Sequence, residues 1–322
     1  MTYTVATPVQ DLATPDGDDV TEKEWHDDTI AVRGGLRRTE LDETAEALFL
    51  TSGYVYSSAA EAEAAFAGEV DRYIYSRYGN PTVATFEARF RQLEDTEAAW
   101  ATASGMAAVF NALAACLETG DRVVAARGLF GSCFIILDEL LPRWGISTEF
   151  VDGPDLDQWA AALAKGASAG FFESPSNPMQ ELIDVKAVSE LAHQVGATVI
   201  VDNVFATPIL QRPLELGADI VVCSATKHID GHGRTLGGMI CGTEQFIYEQ
   251  APATDATHRP LTEPIQRLGA PQEPRVTPAS GHASNRVSPP PGSDGSKRRI
   301  ASRRCDTRTW RRILSPLWRS AR

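Results

Sequence analysis

The stretch TVIVDNVFATPILQRPLELGADIVVCSATKHIDG, residues 198–231, contains two short apolar runs that each end in polar residues. The first run ends at Asp202, and the second ends at Ser224, shortly before Lys227. Short apolar runs bounded by turn signals are typical of buried strands in parallel sheets. Ligands of such sheets bind outside the carboxyl ends of the strands. The stretch therefore predicts an α/β fold and a site at these strand ends.

The same alternation of apolar runs and helical patterns extends from about Glu46 to Tyr248. Strands that alternate with helices predict βαβ units and a largely parallel sheet. The predicted strands are Ala98–Ala103, Arg122–Ala126, Ser147–Asp152, Ala169–Glu173, Thr198–Asp202, Asp219–Ser224 and Gly237–Cys241. The predicted helices are Thr82–Leu93, Met106–Glu118, Ser132–Trp144, Asp155–Ala164, Asp184–Val195 and Glu244–Glu249.

Length and composition exclude several classes of protein. A chain of 322 residues with 43% hydrophobic and 23% charged residues can bury a sizeable core, which excludes a wholly disordered chain. No run approaches eighteen uninterrupted apolar residues, and the acidic N-terminus lacks a secretion-signal pattern, so we expect a cytoplasmic protein without a membrane partner. Five cysteines without a CxxC pair predict neither a disulfide framework nor a bound metal.

The character of the chain changes near residue 250. Residues 1–250 carry a net charge of −22, whereas residues 251–322 carry +9 and are rich in Pro, Ser, Arg and Gly. We predict a disordered N-terminus over 1–28, an N-terminal arm over 29–72, a large α/β domain over 73–250 and a disordered tail over 251–322. A basic tail can bind nucleic acid, but this one matches no binding module, so we expect no such partner.

Two segments place chemistry-bearing side chains at strand ends. Lys227 follows a buried strand in a turn rich in Ser and Thr, where partial desolvation would make its amine a nucleophile for Schiff-base formation. Asp202 ends another strand, where a carboxylate could hold a ring nitrogen protonated. Each segment alone also fits an ordinary structure: a surface lysine in a loop, and an aspartate that caps the next turn.

Two further segments suit a phosphate group. Ser104, Gly105 and Met106 open a helix after a strand, so backbone amides and the helix dipole would favour an anion. Tyr75 and Arg77 lie in YIYSRYGNPT, and the planar guanidinium of arginine is well suited to phosphate. Ser-Gly turns before helices are common, and Tyr75 and Arg77 also fit a solvated loop.

Together these segments resemble the Cys/Met-metabolism family of PLP-dependent enzymes, where PLP is pyridoxal 5'-phosphate. The resemblance covers about Thr29–Tyr248 and implies the aspartate-aminotransferase-like fold, also called fold type I. Several independent motifs carry it, in the order and spacing of the family. They are YSRYGNPT, ATASGMAAVF, GLFGSCF, FFESPSNPM, VDNVFATP and SATKHIDGHGR.

The resemblance also implies a role for each matching residue. Lys227 would carry PLP and move the protons of the substrate, and Asp202 would pair with the pyridine nitrogen. Asn177 would lie on the hydroxyl side of the cofactor, with Glu173 supporting that region. Phe130 would stack on the ring; since many relatives have tyrosine there and Phe carries no proton, proton transfer would fall to Lys227 or Tyr75. The phosphate would be held by Ser104, Gly105, Met106, Ser224 and Thr226, and by Tyr75 and Arg77 of a neighbouring subunit.

The implied activity is a γ-replacement in methionine biosynthesis. Within the family the motifs are most similar to the O-succinylhomoserine sulfhydrylases, which implies acylated homoserine and sulfide as substrates and homocysteine as product. A cystathionine γ-synthase, a γ-lyase and a non-catalytic remnant stay open as alternatives, as does an acetyl in place of the succinyl group. The family also implies a homo-oligomer, a dimer of dimers.

The family continues beyond the equivalent of residue 250 with a C-terminal domain, which we expect to be absent here. Plausible codons for 255–274, read one base later, spell a string like that of family members. This predicts a single-base frameshift within 247–255. We expect weak or absent turnover for such a chain, because a substrate-binding arginine of that domain would be missing.

Overall fold

The computed structural model describes residues 25–250, which lie within one compact unit of the chain. The predictions for residues 1–24, and those of disorder and a frameshift beyond 250, lie outside the described residues. Among residues 25–250, no helix has the length and apolar character needed to cross a membrane.

Eight α-helices and seven strands make up the described part of the chain. The helices are α1 (Asp27–Arg33), α2 (Ala59–Phe66), α3 (Pro81–Glu94), α4 (Gly105–Cys116), α5 (Gly131–Ile135), α6 (Leu156–Leu163), α7 (Val185–His193) and α8 (Thr207–Leu210). The strands are β1 (Ala98–Thr102), β2 (Arg122–Ala126), β3 (Ser147–Val151), β4 (Ala169–Glu173), β5 (Thr198–Asp202), β6 (Ile220–Ser224) and β7 (Gly238–Gly242). A 3₁₀ turn spans Leu141–Trp144, and π-helical turns span Ile136–Leu140, Ala225–Ile229 and Phe246–Gln250.

All seven strands form one sheet in the order β1-β7-β6-β5-β4-β2-β3. The pairs β2–β3, β2–β4, β4–β5 and β5–β6 are parallel, whereas β7 runs antiparallel to both β1 and β6. The prediction of a mostly parallel α/β sheet is therefore confirmed. Parallel strands bring their carboxyl ends to a common edge, and this edge holds the candidate site.

Helices cover both faces of the sheet because successive side chains of each strand point to opposite faces. On β2, Val123 and Ala125 pack in the cluster that includes α4 and α5, while Val124 and Ala126 pack with α6 and α7. The apolar side of α3 covers β1, β6 and β7 on this second face. Both layers hold the strands firmly, which fixes the positions of their carboxyl ends.

The structure corrects two predictions. Ser132–Trp144 is not one helix: α5 passes into a π-helical turn and then a 3₁₀ turn that begins with Leu141 and Pro142. Proline has no N–H to donate to the preceding turn, so a regular α-helix cannot continue through it. The predicted disorder over residues 1–28 extends too far, because α1 begins at Asp27. The ring of His26 accepts a hydrogen bond from the Asp28 amide at 3.3 Å and so caps α1.

Candidate active site

Two carboxylates stand side by side where β4 and β5 end. Glu173 closes β4, Asp202 closes β5, and the two residues are direct partners in the parallel register. Both are buried, with 1% of Glu173 and 8% of Asp202 exposed. The Sγ atom of Cys133, from α5, lies within 4.8 Å of a carboxylate oxygen of each. We call Cys133, Glu173 and Asp202 the acid cluster.

Within the acid cluster, Glu173 bonds to two separate loops. Its Oε1 accepts a hydrogen bond from the Phe130 amide at 2.7 Å, and its Oε2 accepts one from the Asn177 amide at 3.1 Å. The Cys133 thiol also hydrogen-bonds to this carboxyl. Burial raises the pKa of Glu173, and the two amide hydrogen bonds oppose that rise. Three residues that the sequence analysis linked to the cofactor are thus joined: Phe130, Glu173 and Asn177.

Asp202 has no cationic partner among residues 25–250. Its Oδ1 accepts a hydrogen bond from the Val204 amide at 3.0 Å. Burial, and then the charge of neighbouring Glu173, raise the pKa of Asp202 to about 8. A positively charged N–H beside a buried carboxyl group without a cationic partner would stabilise its ionised form. The observed geometry suits a partner such as a protonated ring nitrogen.

The N-terminus of α4 lies against the end of β6. Ser104 caps this twelve-residue helix, with its Oγ accepting the Ala107 amide at 3.1 Å. A Cβ on Gly105 would stand 2.6 Å from the Cβ and 2.8 Å from the Oγ of Ser224, so only glycine allows this approach. Met106 follows, half-buried against the core. The cradle places amides of a helix N-terminus beside a hydroxyl, a suitable pair for an anion.

Lys227 lies in the π-helical turn that follows β6, and its backbone leaves the helical region at φ −96° and ψ −115°. Lys227 is exposed at the carboxyl edge of the sheet, which agrees with the alternative of a surface lysine in a loop, and its role in Schiff-base formation stays a prediction. The hydroxyl of Thr226 contacts Gly237, accepting from its amide at 3.1 Å and donating to its carbonyl at 3.3 Å. Thr226 therefore closes the loop that follows Lys227.

The aromatic candidates are also exposed. Phe130 is 45% exposed and Tyr75 is 38% exposed. The guanidinium of Arg77 lies 5.8 Å from the ring centre of Tyr75 and 4.7 Å from that of Tyr78, and it donates a hydrogen bond to the Tyr78 hydroxyl at 3.1 Å. Tyr75 and Arg77 are thus brought together. Their contact with the phosphate of a neighbouring subunit stays a prediction.

Sequence reasoning missed Cys133 as part of the site. The signal was present in GLFGSCF, because Cys133 lies three residues after Phe130 and so about one helical turn further on. The acid cluster offers three side chains of two types, one thiol and two carboxyls, that metals can use as ligands, although the sequence predicts no metal. The roles of the other candidates stay predictions.

The fold and the site define a class of protein. One edge of a mostly parallel sheet combines an exposed lysine, a buried carboxylate and an anion cradle. These groups are typical of α/β enzymes that bind a phosphorylated cofactor through a lysine. Comparison with known proteins makes this specific. The Cys/Met metabolism PLP-dependent enzyme family matches residues 28–268, and the chain belongs to that family. The predicted cofactor, PLP, is therefore confirmed as that of the family.

Several relatives support this assignment. The chain is 63% identical over 219 residues to an O-succinylhomoserine sulfhydrylase of Mycobacterium tuberculosis, covering 68% of this chain and 54% of that protein. It is 51% identical over 222 residues to one of Pseudomonas aeruginosa, covering 69% and 55%. A solved cystathionine gamma synthase of Xanthomonas oryzae matches with a TM-score of 0.70 at 28% identity, covering 76% and 62%. The chain thus spans about half the length of the curated relatives it matches.

Proposed function

We propose that the protein performs a PLP-dependent γ-replacement, converting O-succinylhomoserine and sulfide into homocysteine and succinate. In this reaction the bond between the γ-carbon and the succinyl oxygen breaks, and a bond between the γ-carbon and sulfur forms. The substrate assignment follows the two most similar relatives cited above. The site lies at the carboxyl edge of the sheet.

The single observation that carries the proposal is Asp202, a buried carboxylate without a cationic partner in the described part of the chain. A pyridinium N–H of PLP would satisfy it. The cradle of Gly105 and Ser224 adds a second fit, because their close approach places the N-terminus of α4 beside the Ser224 hydroxyl, a pair that would suit a phosphate. Both features suit the two ends of PLP, so the residues present fit the cofactor.

When bound, PLP supplies the electron sink that makes the α- and β-protons of the substrate acidic. The chain supplies the other elements. The amine of Lys227 would hold the cofactor covalently and, once released, carry protons at its Nζ. The ring of Phe130 would stack without moving a proton, so we assign proton transfer to Lys227 and Tyr75. Ser104, Met106 and Thr226 would complete the phosphate end.

The nucleophile separates this proposal from its nearest alternative. One solved structural relative, the cystathionine gamma synthase cited above, is in complex with aminoacrylate and cysteine. An enzyme of that kind would join cysteine, instead of sulfide, to the γ-carbon. We further infer a cytoplasmic homo-oligomer, a dimer of dimers, in which the exposed Tyr75 and the half-buried Arg77 would serve a neighbouring site.

The test uses the purified full chain with added PLP. O-succinylhomoserine is supplied with sulfide in one reaction and with cysteine in another, and homocysteine, cystathionine and succinate are measured. We expect homocysteine and succinate in equal amounts, formed at the low rate that the sequence analysis predicts for this chain, with little cystathionine. Cystathionine as the main product would favour the synthase, and release of succinate without homocysteine or cystathionine would favour a γ-lyase. A chain that neither binds PLP nor releases succinate would contradict the proposal.

A further inference from the structure

Glu173 connects two segments that form separate parts of the site. Phe130 lies between β2 and α5, forty-three residues before Glu173, while Asn177 lies four residues after it. Each segment gives its backbone amide to a different oxygen of the same carboxylate, at 2.7 and 3.1 Å. With only 1% of Glu173 exposed, water has little access to replace either bond. The spacing of the two segments therefore depends on this one side chain.

The chemistry of the contact requires a carboxylate of this length. Two amide donors need two acceptor oxygens, which glutamate has and glutamine lacks, because the NH₂ of glutamine would face one of the amides. Aspartate keeps both oxygens but is one methylene shorter, so it cannot reach both amides from the same backbone position. Hydrogen bonds to an ionised group are also stronger than neutral ones.

The location of this contact links it to the cofactor. Glu173 pairs in register with Asp202, and their carboxylate oxygens lie within 4.8 Å of each other and of the Cys133 Sγ. Asp202 leads into a similar arrangement, since Asn203 and Gln211 bond to each other and Gln211 donates to the Ser174 carbonyl at 2.9 Å. Polar contacts thus connect the segments that follow both strand ends.

We propose that Glu173 is a positioning residue that fixes Phe130 and Asn177 at a set spacing beside Asp202 before the cofactor enters. This inference rests on the proposed function, since it treats that space as the cofactor site. It goes further in assigning the organisation of the site to one carboxylate that need not touch the reacting atoms. Its effect is conveyed through the backbone of Phe130 and Asn177.

The first test needs no cofactor. Amide hydrogen exchange is compared in the cofactor-free full chain for wild type, Glu173→Gln, Glu173→Asp and the control Glu190→Gln, whose glutamate is exposed on α7. We expect ~10- to 100-fold faster exchange at Phe130 and Asn177 in both Glu173 variants, with the β-strands unchanged. Unchanged exchange at these two amides would overturn the inference. Faster exchange throughout the sheet would also overturn it, because that indicates a general structural role.

The second test measures PLP affinity of the same four chains by titration of the cofactor absorbance. We expect ~10-fold weaker binding or more for both Glu173 variants and no change for Glu190→Gln. If wild type takes up no PLP, the proposed function fails, while the exchange experiment still decides the role of Glu173. If wild type and both Glu173 variants bind PLP equally, the inference alone fails. If Glu173→Gln does not fold, Glu173→Asp, which keeps the charge, decides both tests.

Discussion

The acid cluster and the segment around Lys227 form two halves of the site that differ in how far the chain prepares them. Glu173 and Asp202 are buried, and Glu173 already accepts two backbone-amide hydrogen bonds and Asp202 one. Lys227 is exposed, as are large parts of Tyr75 and Phe130. The half that would face the ring nitrogen of the cofactor is thus buried in the core, whereas the half that would bind the cofactor covalently is exposed. This difference teaches that burial fixes the electrostatics while the reactive groups stay accessible to ligands.

Removal of Lys227 gives the largest expected effect. Lys227→Ala leaves the acid cluster intact but takes away the amine that would bind the cofactor covalently. We expect turnover to disappear and bound PLP to be lost on dialysis, because the covalent link is gone. The matched control is Lys186→Ala, an exposed lysine on α7. Comparable turnover in Lys227→Ala and wild type would show that Lys227 is not the residue that binds the cofactor covalently.

Asp202→Asn tests the buried half. The amide has nearly the shape of the carboxylate but cannot stabilise a protonated ring nitrogen. We expect kcat to fall about 10²-fold or more, because the protonated ring nitrogen of PLP would lose its carboxylate partner and the cofactor would then stabilise the deprotonated substrate less well. Steady-state kinetics with O-succinylhomoserine and sulfide measure the effect. A kcat within twofold of wild type would show that Asp202 does not serve the cofactor.

The stability of the cofactor-free chain should fall as the pH rises. Folding raises the pKa of Asp202 to about 8, so between about pH 4 and pH 8 the folded chain keeps a proton that the unfolded chain has released. The contribution of Asp202 to the free energy of unfolding is thus present at low pH and is lost as the pH approaches 8. Glu94, whose pKa burial also raises to about 8, adds a contribution of the same sign. Urea unfolding at several pH values measures how the free energy of unfolding changes with pH. In Asp202→Asn we expect this free energy to fall less steeply with rising pH than in wild type, because Glu94 still contributes. An unchanged steepness would contradict the prediction.

Gly105→Ala tests the phosphate end with a smaller expected effect. The added methyl would stand 2.6 Å from the Cβ of Ser224 and push α4 away from β6. Overpacking of this kind costs about 1–3 kcal/mol, so we expect roughly tenfold weaker PLP binding. Gly131→Ala is the control, because a Cβ there has no atom within 4 Å. Equal PLP affinity of the two variants would argue against the cradle.

Phe130→Ala should have the smallest effect. Stacking of an aromatic ring contributes about 0.5–1.5 kcal/mol, which corresponds to a loss of roughly two- to tenfold in PLP affinity. The backbone amide of Phe130 and its bond to Glu173 stay in place, so hydrogen exchange there should be unchanged. A loss of affinity above a hundredfold would mean that the ring does more than stack.

Much of the fold could be predicted because the strands are strongly apolar. Arg122–Ala126, Ala169–Glu173 and Thr198–Asp202 begin and end as predicted, since each apolar run stops at a polar residue. The helix α1 was missed because its sequence, DDTIAVR, has little periodicity and its contacts come from elsewhere: Arg212 bonds to Asp27 at 2.8 Å. Such contacts are not visible in local sequence.

The candidate site could be predicted in composition but not in arrangement. The motifs around Asp202 and Lys227 indicate which residue types matter, because their strand ends are readable. The hydrogen bond from the Phe130 amide to Glu173 joins residues forty-three positions apart, and only the fold brings them together, as it brings the Cys133 thiol of α5 within 4.8 Å of both carboxylates. The exposure of Lys227 likewise follows from its place at the sheet edge, which a local pattern does not reveal.

The central claim is that Lys227 and the acid cluster belong to one PLP site. The most direct measurement treats the wild-type chain with PLP and borohydride, which makes the lysine adduct permanent, and then maps the modified peptide by mass spectrometry. The account predicts one pyridoxyl group per chain, on Lys227. Labelling of other lysines to the same extent, or no stable adduct at all, would contradict it.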